Sequence, residues 1–243
     1  MSEKSRRNAE RFWSYMFDVT NFEQRLGIQV KNKAFFQEAL IHRSYLNEHR
    51  GCTSSHNERL EFLGDAVLEL VVTENLFHTY DRPEGEMTAW RAALVNGDML
   101  ARIGQSLGVD DFLLMSRGEA KDTGRARQYI VANAMEAIIG ALYLDQGYEA
   151  ARVFITTHIL SHLPEVLDQK LYADAKSFFQ EKAQEHFGVT PTYRVLKEWG
   201  PDHDRHFVAG VFVGEELIAE GEGISKQEAQ RAAAKQALTN KGW

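Results

Sequence analysis

Four acids stand three and four residues apart in one apolar stretch, Asn57-Glu58-Arg59-Leu60-Glu61-Phe62-Leu63-Gly64-Asp65-Ala66-Val67-Leu68-Glu69-Leu70. At about 100° per residue, Glu58, Glu61, Asp65 and Glu69 share a narrow arc of a helix. Leu60, Leu63, Val67, Leu70 and Val71 are expected to face a core on the other side. Neighbouring carboxylates about 6 Å apart repel by roughly 3 kcal/mol at an effective dielectric near 20, and no lysine shares the stripe. Either water hydrates this face or a cation compensates it, and an all-oxygen donor set suits Mg²⁺ or Mn²⁺.

A second segment, Ile130-Val131-Ala132-Asn133-Ala134-Met135-Glu136-Ala137-Ile138-Ile139-Gly140-Ala141, is apolar except for Asn133 and Glu136, which share a face at i and i+3. A helix apolar nearly all round is buried. A buried Glu is costly unless paired, protonated or bound to a metal. Gly140, one turn further along that face, leaves room for another helix. If the two helices pack together, Glu58, Glu61, Asp65, Asn133 and Glu136 converge on an oxygen-rich site for one or two divalent ions, suited to phosphodiester hydrolysis. The alternative is an Asn-Glu pair hydrogen-bonded for structure.

The elements that must position these residues follow from the pattern around them. Apolar residues recur at helical spacing over 35–46, 59–77, 89–107 and 129–144, so the first part reads as all-α. Leu163-Pro164-Glu165 interrupts the pattern, and 164–173 reads as a linker. Beyond it come a helix over 175–187, alternating segments over 192–196, 207–213 and 216–222, and an Ala-rich helix over 225–238, an α-β-β-β-α order. Within that second part Phe207, Val211, Val213 and alanines 229, 232, 233 and 234 are expected core. The expected domains are 8–147, with helices continuing to about 163, and 174–243.

Composition narrows the function classes. With 44% hydrophobic and 26% charged residues among 243, the chain is ordered and globular. The single cysteine, Cys52, and the lack of an apolar core after the first residues fit a reducing cytoplasm. No apolar run approaches the length that spans a membrane. A formal charge of −7 excludes a bulk polycation, so a polyanion would have to meet a local basic surface.

The quoted segments resemble bacterial ribonuclease III. Glu58 to Asp65, Glu-Arg-Leu-Glu-Phe-Leu-Gly-Asp, is similar to that family's signature. The likeness extends to Ala39-Leu40-Ile41-His42-Arg43-Ser44-Tyr45, Glu84-Gly85 and Glu136-Ala137-Ile138-Ile139-Gly140-Ala141. The resemblance implies Glu61, Asn133 and Glu136 as metal ligands, Asp65 with Glu136 as catalytic residues, and Glu58 and Glu84 as accessory acids. It implies Mg²⁺, with Mn²⁺ able to substitute, and no nucleotide cofactor. It also implies a homodimer in which Phe62 enters a pocket on the partner subunit. The activity implied is endonucleolytic hydrolysis of double-stranded RNA by Mg²⁺-activated water, leaving 5′-phosphate and 3′-hydroxyl ends on structured precursors such as ribosomal RNA. One departure stands out: the family most often has Asp where this chain has Asn133. An amide oxygen still ligates a hard cation, but the five-residue set carries −4 rather than −5. Weaker metal affinity with retained activity is the expectation. The alternative is a catalytically weakened protein that binds duplex RNA without cutting it.

The second part resembles a double-stranded-RNA-binding domain through Lys176-Ser177, Gln180-Glu181, Pro191-Thr192-Tyr193, Gly200-Pro201-Asp202-His203 and Gly221-Glu222-Gly223-Ile224-Ser225-Lys226. An A-form duplex is read by shape, through 2′-hydroxyls and phosphates. Gln180 and Gln184 on the first helix, His203 on a loop and Lys226 at the start of the last helix are the expected RNA contacts. Residues from 172 onward hold nine Lys and Arg against eleven Asp and Glu, so affinity should be modest and salt-sensitive.

Other signals are weaker. His158 and His162 have a helical zinc-ligand spacing but no HExxH accompanies them, so they read as solvated. His56-Asn57-Glu58 lacks the Cys-x-x-Cys of a zinc deaminase, and no P-loop or dinucleotide fingerprint is present. Gly124-Arg125-Ala126-Arg127 is either a solvated loop or a contact to the phosphates of the cleaved strand.

Overall fold

The computed structural model describes residues 17–49, 52, 54–168, 175–201 and 205–243. The chain divides into two compact units, Met1–Gln169 and Lys170–Trp243.

In its described residues the first unit is helical: α1 (Val19–Leu26), α2 (Lys33–Ala39), α3 (Arg43–Glu48), α4 (Glu58–Thr79), α5 (Glu84–Val95), α6 (Gly97–Ser106), α7 (Arg125–Gln146), α8 (Tyr148–His158) and α9 (Leu163–Asp168). Its axis is α7, whose residues from Ile130 to Leu142 are buried apart from Asn133 and Glu136, which are half-buried. Such a helix is stable only inside other helices, and α4, α6, α2 and α8 surround it. At its crossing with α4 the two backbones all but touch. A β-carbon built on Gly64 would lie 1.7 Å from the Glu136 carbonyl oxygen, and one on Gly140 would lie 2.2 Å from the carbonyl oxygen of Leu60. Only glycine at both positions permits this approach.

The start of α4 is held firmly. Asn57 is 2% exposed, its backbone N–H donates to the Ile41 carbonyl (2.9 Å) and its side-chain amide to that of Ala39 (3.2 Å). These bonds fix where Glu58 and Glu61 emerge.

Several expectations need correction. The stretch 35–46 is two helices, because Leu40 and Ile41 leave α2 to pair with Leu114, after which His42 caps α3. The stretch 89–107 is likewise two, because Asn96 accepts from the N–H of Met99 (2.9 Å) while its amide donates to the Ala93 carbonyl (2.9 Å), closing α5 and opening α6. Linker residues 164–168 belong to α9: proline is tolerated in a first helical turn, Val166 is fully buried, and Arg102 grips Glu165 with two bonds of 2.7 and 2.8 Å. The remainder of that stretch, residues 169–173, and the first residues of the expected catalytic domain lie outside the described residues.

The second unit is α10 (Ala175–Phe187), β1 (Thr192–Trp199), β2 (His206–Val213), β3 (Glu216–Gly223) and α11 (Lys226–Lys241), an antiparallel meander in the order β1-β2-β3. Phe179 and Ala183 of α10, Val211 and Ala219 of the sheet, and Ala233, Ala234 and Ala237 of α11 form its core. The alanines are needed for close approach: a β-carbon on Gly221 would lie 2.1 Å from the backbone nitrogen of Ala233. Phe207 and Ala229 are buried as expected, whereas Val213 and Ala232 are half-buried. Ser225 caps α11 by accepting from the Glu228 N–H (3.1 Å), and the Glu228 carboxylate accepts from the N–H of Ile224 (3.2 Å) just before it.

Candidate active site

The glycine crossing determines the site. Because Gly64 meets the backbone of Glu136, the side chains one turn to either side are brought close: Glu61 and Asp65 on α4, Asn133 and Glu136 on α7. The amide of Asn133 hydrogen-bonds the Glu61 carboxylate. Burial, reinforced by the charges of Asp65 and Glu61, pushes the Glu136 carboxyl up to about 8. Glu61 is raised as well, by its own burial and by Glu58 and Asp65, with the Asn133 bond opposing the rise. No basic side chain is among the groups that act on Glu136. This is a half-buried acidic cluster short of positive charge.

Two acids and an amide converge, and Asp65 is close enough to disturb both carboxylates. Among the described residues no three His, Cys, Asp or Glu side chains form by themselves a group that could hold a metal ion. The oxygen-only donors Glu61, Asn133 and Glu136 suit a hard divalent ion, and the missing charge is what such an ion would supply.

Not every candidate acid joins them. Glu58 shifts Glu61 but is itself half exposed, facing Arg43 (3.4 Å) and His56 (3.7 Å). Glu69 and Glu84 are exposed, and neither is among the groups acting on Glu61 or Glu136. Gly64 was not singled out from the sequence; the signal was its place beside the acidic stripe, matching Gly140 on the other helix.

The apolar side of α4 corrects a further expectation. Leu60, Val67 and Val71 are buried, but Leu63 is half-buried and Leu70 is exposed. The core-facing stripe instead runs Leu60, Gly64, Val67, Leu68, Val71, Val72 and Leu76. Phe62, Leu70 and Phe77 point to solvent, Phe62 with 81% of its surface open.

In the Gly-Arg-Ala-Arg stretch Arg127 is held by Asp110 at 2.8 Å, and the Arg125 guanidinium carbon lies 5.9 Å from the centre of the Tyr129 ring. The two spaced histidines are not a solvated pair: half-buried His158 bonds the Leu26 carbonyl (3.1 Å), and His162 bonds Glu165 (3.2 Å).

In the second unit Gln180 and Gln184 are exposed on α10 and line a shallow depression with Ser177, Glu181 and Glu185. Lys226 is exposed at the first position of α11, its ammonium 5.8 Å from the centre of the Phe207 ring. His203 lies outside the described residues.

Among the described residues no helix is long and apolar enough to cross a membrane. A family model described as ribonuclease-III-like matches residues 32–163, and one for the double-stranded RNA binding motif matches 175–241. Ribonuclease 3 of Oceanobacillus iheyensis is 44% identical over 222 residues, covering 91% of this chain and 97% of that protein. Ribonuclease 3 of Desulforamulus reducens is 44% identical over 221 residues, 90% of each. Among solved structures, the nuclease domain of Campylobacter jejuni ribonuclease III superposes with a TM-score of 0.55 at 42% identity, covering 60% of this chain and 99% of that one; it was described for flexibility in a region involved in dimer formation.

Proposed function

The chain belongs to the ribonuclease III family, endoribonucleases specific for double-stranded RNA, and from that premise we propose that it cuts duplex RNA at the crossing of α4 and α7 with Mg²⁺ held by Glu61, Asn133 and Glu136. The carrying observation is the glycine-on-backbone contact, which draws two acids and an amide together without a cation to balance them. Mn²⁺ has the same preference for oxygen donors and would substitute. Bound there, the ion supplies activation of water and neutralisation of charge on the phosphate. The chain's own groups do the rest. Glu61 and Glu136 give up their raised proton affinity as ligands. Asn133 holds the Glu61 carboxylate in orientation through its amide. Asp65, beside both, takes the proton released as water adds to phosphorus and the bond to the 3′-oxygen breaks, that oxygen taking up a proton from solvent. Products with 5′-phosphate and 3′-hydroxyl ends follow, from structured precursors such as ribosomal RNA in the cytoplasm. Glu58 and Glu84 serve as accessory acids toward the cleaved strand.

Two further parts complete the reading. The exposed Phe62, Leu70 and Phe77 form an apolar strip on α4, consistent with a homodimer in which Phe62 seats on the partner subunit and each duplex meets two sites. Gln180, Gln184, His203 and Lys226 engage the minor grooves and phosphates of the duplex. The catalytic division is 8–147 with its helices continuing through α9 to Asp168, and the RNA-binding division is 174–243.

The test is incubation with a long RNA duplex in Mg²⁺ or chelator, for the wild type and Glu136→Gln. Short products from the wild type only in Mg²⁺, and uncut but bound RNA with Glu136→Gln, support the reading. Equal turnover by the two proteins contradicts it.

A further inference from the structure

The sheet of the second unit has two faces. Helices α10 and α11 pack on one, against Val211 and Ala219. The other carries an apolar cluster: a β-carbon on Gly210 would lie 2.8 Å from Leu217 Cδ1, 2.9 Å from Leu196 Cδ1 and 3.0 Å from Phe212 Cε2, so side chains from all three strands close over one bare stretch of backbone. Leu196 and Leu217 stay 39% and 42% exposed, and Trp199, stacked on His206 on the same face, stays 44% exposed. Contiguous apolar surface of this kind marks a contact.

Strand register orders the charges beside the cluster. Arg194 of β1 pairs with Gly210, which pairs with Glu220 of β3, and Lys197 pairs with Val208, which pairs with Glu222. Residues opposite one another in a ladder share a face. One edge of the face is therefore basic and the other acidic, with each base level with an acid, and all four are exposed. Arg194 lies 3.4 Å from Glu215 and Glu222 lies 3.8 Å from His206, whereas Lys197 and Glu220 enter no ion pair among the described residues.

We propose that this outer face is a self-association surface, on which the RNA-binding unit of a second copy of the chain docks sheet against sheet. The charge pattern selects that occupant. A two-fold axis parallel to the strands sets the basic edge of each copy over the acidic edge of the other without changing level, so Lys197 meets Glu222 of the partner subunit and the apolar centres meet each other. A partner of uniform charge would face a like-charged edge on one side. The pairing needs no free guanidinium, because Lys197 with Glu222 satisfies the pattern by itself. Three strands about 4.8 Å apart and six residues of about 3.4 Å give a face of roughly 15 by 20 Å, below the ~800 Å² per partner of a stable interface, so the contact is weak. Gln180, Gln184 and Lys226 stand on the helices packed against the opposite face, so a joined pair keeps its RNA contacts outward.

Sedimentation velocity of the full-length protein without RNA, at low salt and rising concentration, tests this. The wild type should step from dimer toward tetramer; if the first units do not pair, the same step runs from monomer to dimer and the same variants decide it. Leu217→Asp should weaken the step by about tenfold or more, by placing a charge at the apolar centre. Lys197→Glu and Glu222→Lys should each weaken it about tenfold, and an equimolar mixture of the two should regain it to within about threefold, because each supplies the charge the other lacks. All three should keep the wild-type melting temperature. A wild type whose mass matches that of Leu217→Asp at every concentration overturns the proposal. So does a step that survives Leu217→Asp, which would place the contact elsewhere, or one that the mixture does not regain, which would give the face to a partner of other chemistry. A Leu217→Asp protein of unchanged mass but lowered melting temperature would mean that the face is covered within one chain, and overturns it as well.

Discussion

The helix crossing of the first unit and the exposed face of the second solve opposite problems. At the crossing, two backbones meet through Gly64 and Gly140 and hold acids where burial and mutual repulsion work against them. The fold tolerates this because α7 is buried over most of its length in an apolar core. On the second unit, Gln180, Gln184 and Lys226 stand in solvent on helices whose alanines do the packing. Chemistry at phosphorus requires an electrostatically costly, rigidly placed cluster. Reading the shape of a duplex requires only polar groups at the right spacing, at little cost in stability.

That contrast can be broken at its rigid end first. Gly64→Ala forces a β-carbon into the Glu136 carbonyl and should destabilise the first unit by about 3 kcal/mol or more, since a backbone atom cannot step aside as a side chain can. Denaturant unfolding followed by circular dichroism checks this, and a loss under about 1 kcal/mol would mean the helices separate easily. Next is the charge held there. Asn133→Asp raises the ligand charge and should lower the Mg²⁺ concentration for half-maximal cleavage by roughly tenfold, while destabilising the ion-free protein. An unchanged Mg²⁺ requirement would remove Asn133 from the ligand set.

A smaller effect concerns pH. Glu136 in the folded, ion-free protein holds its proton up to about 8 against an ordinary 4.5, so folding favours the neutral carboxyl. Its contribution is fully present below about 4.5 and is lost as pH rises through about 8. Glu136→Gln should therefore melt at about the wild-type temperature in acid and increasingly above it toward pH 9, in chelator. A constant difference across that range contradicts the assignment. Smallest should be the second unit: Gln180→Ala costs about three- to tenfold in duplex affinity with no change in melting temperature. A larger loss of stability than of binding would make Gln180 structural.

What the sequence disclosed follows the same division. The acids on α4, and Asn133 and Glu136 on α7, are legible because polar groups interrupt an apolar pattern at helical spacing, and Gly140 announces a close approach. The α-β-β-β-α order is legible because its strands alternate and its last helix is rich in alanine. Leu70 is misleading: helical periodicity shows that a face is apolar without saying whether it meets a core or another surface. Asn96 and Pro164 mislead in another way. An asparagine can close one helix and open the next, and a proline that reads as a break can sit in a first turn. The burial of His158 depends on Leu26, far away in the chain, and no local pattern encodes it.

The most direct test of the central claim is the single-turnover cleavage rate of a duplex RNA as a function of Mg²⁺, for the wild type, Asn133→Asp and Glu136→Gln. The wild type should be silent in chelator and rise to saturation, Asn133→Asp should saturate at lower Mg²⁺, and Glu136→Gln should stay uncut at every concentration while still binding the duplex. Three superimposable curves would contradict the claim that the α4–α7 crossing holds the metal that cuts RNA.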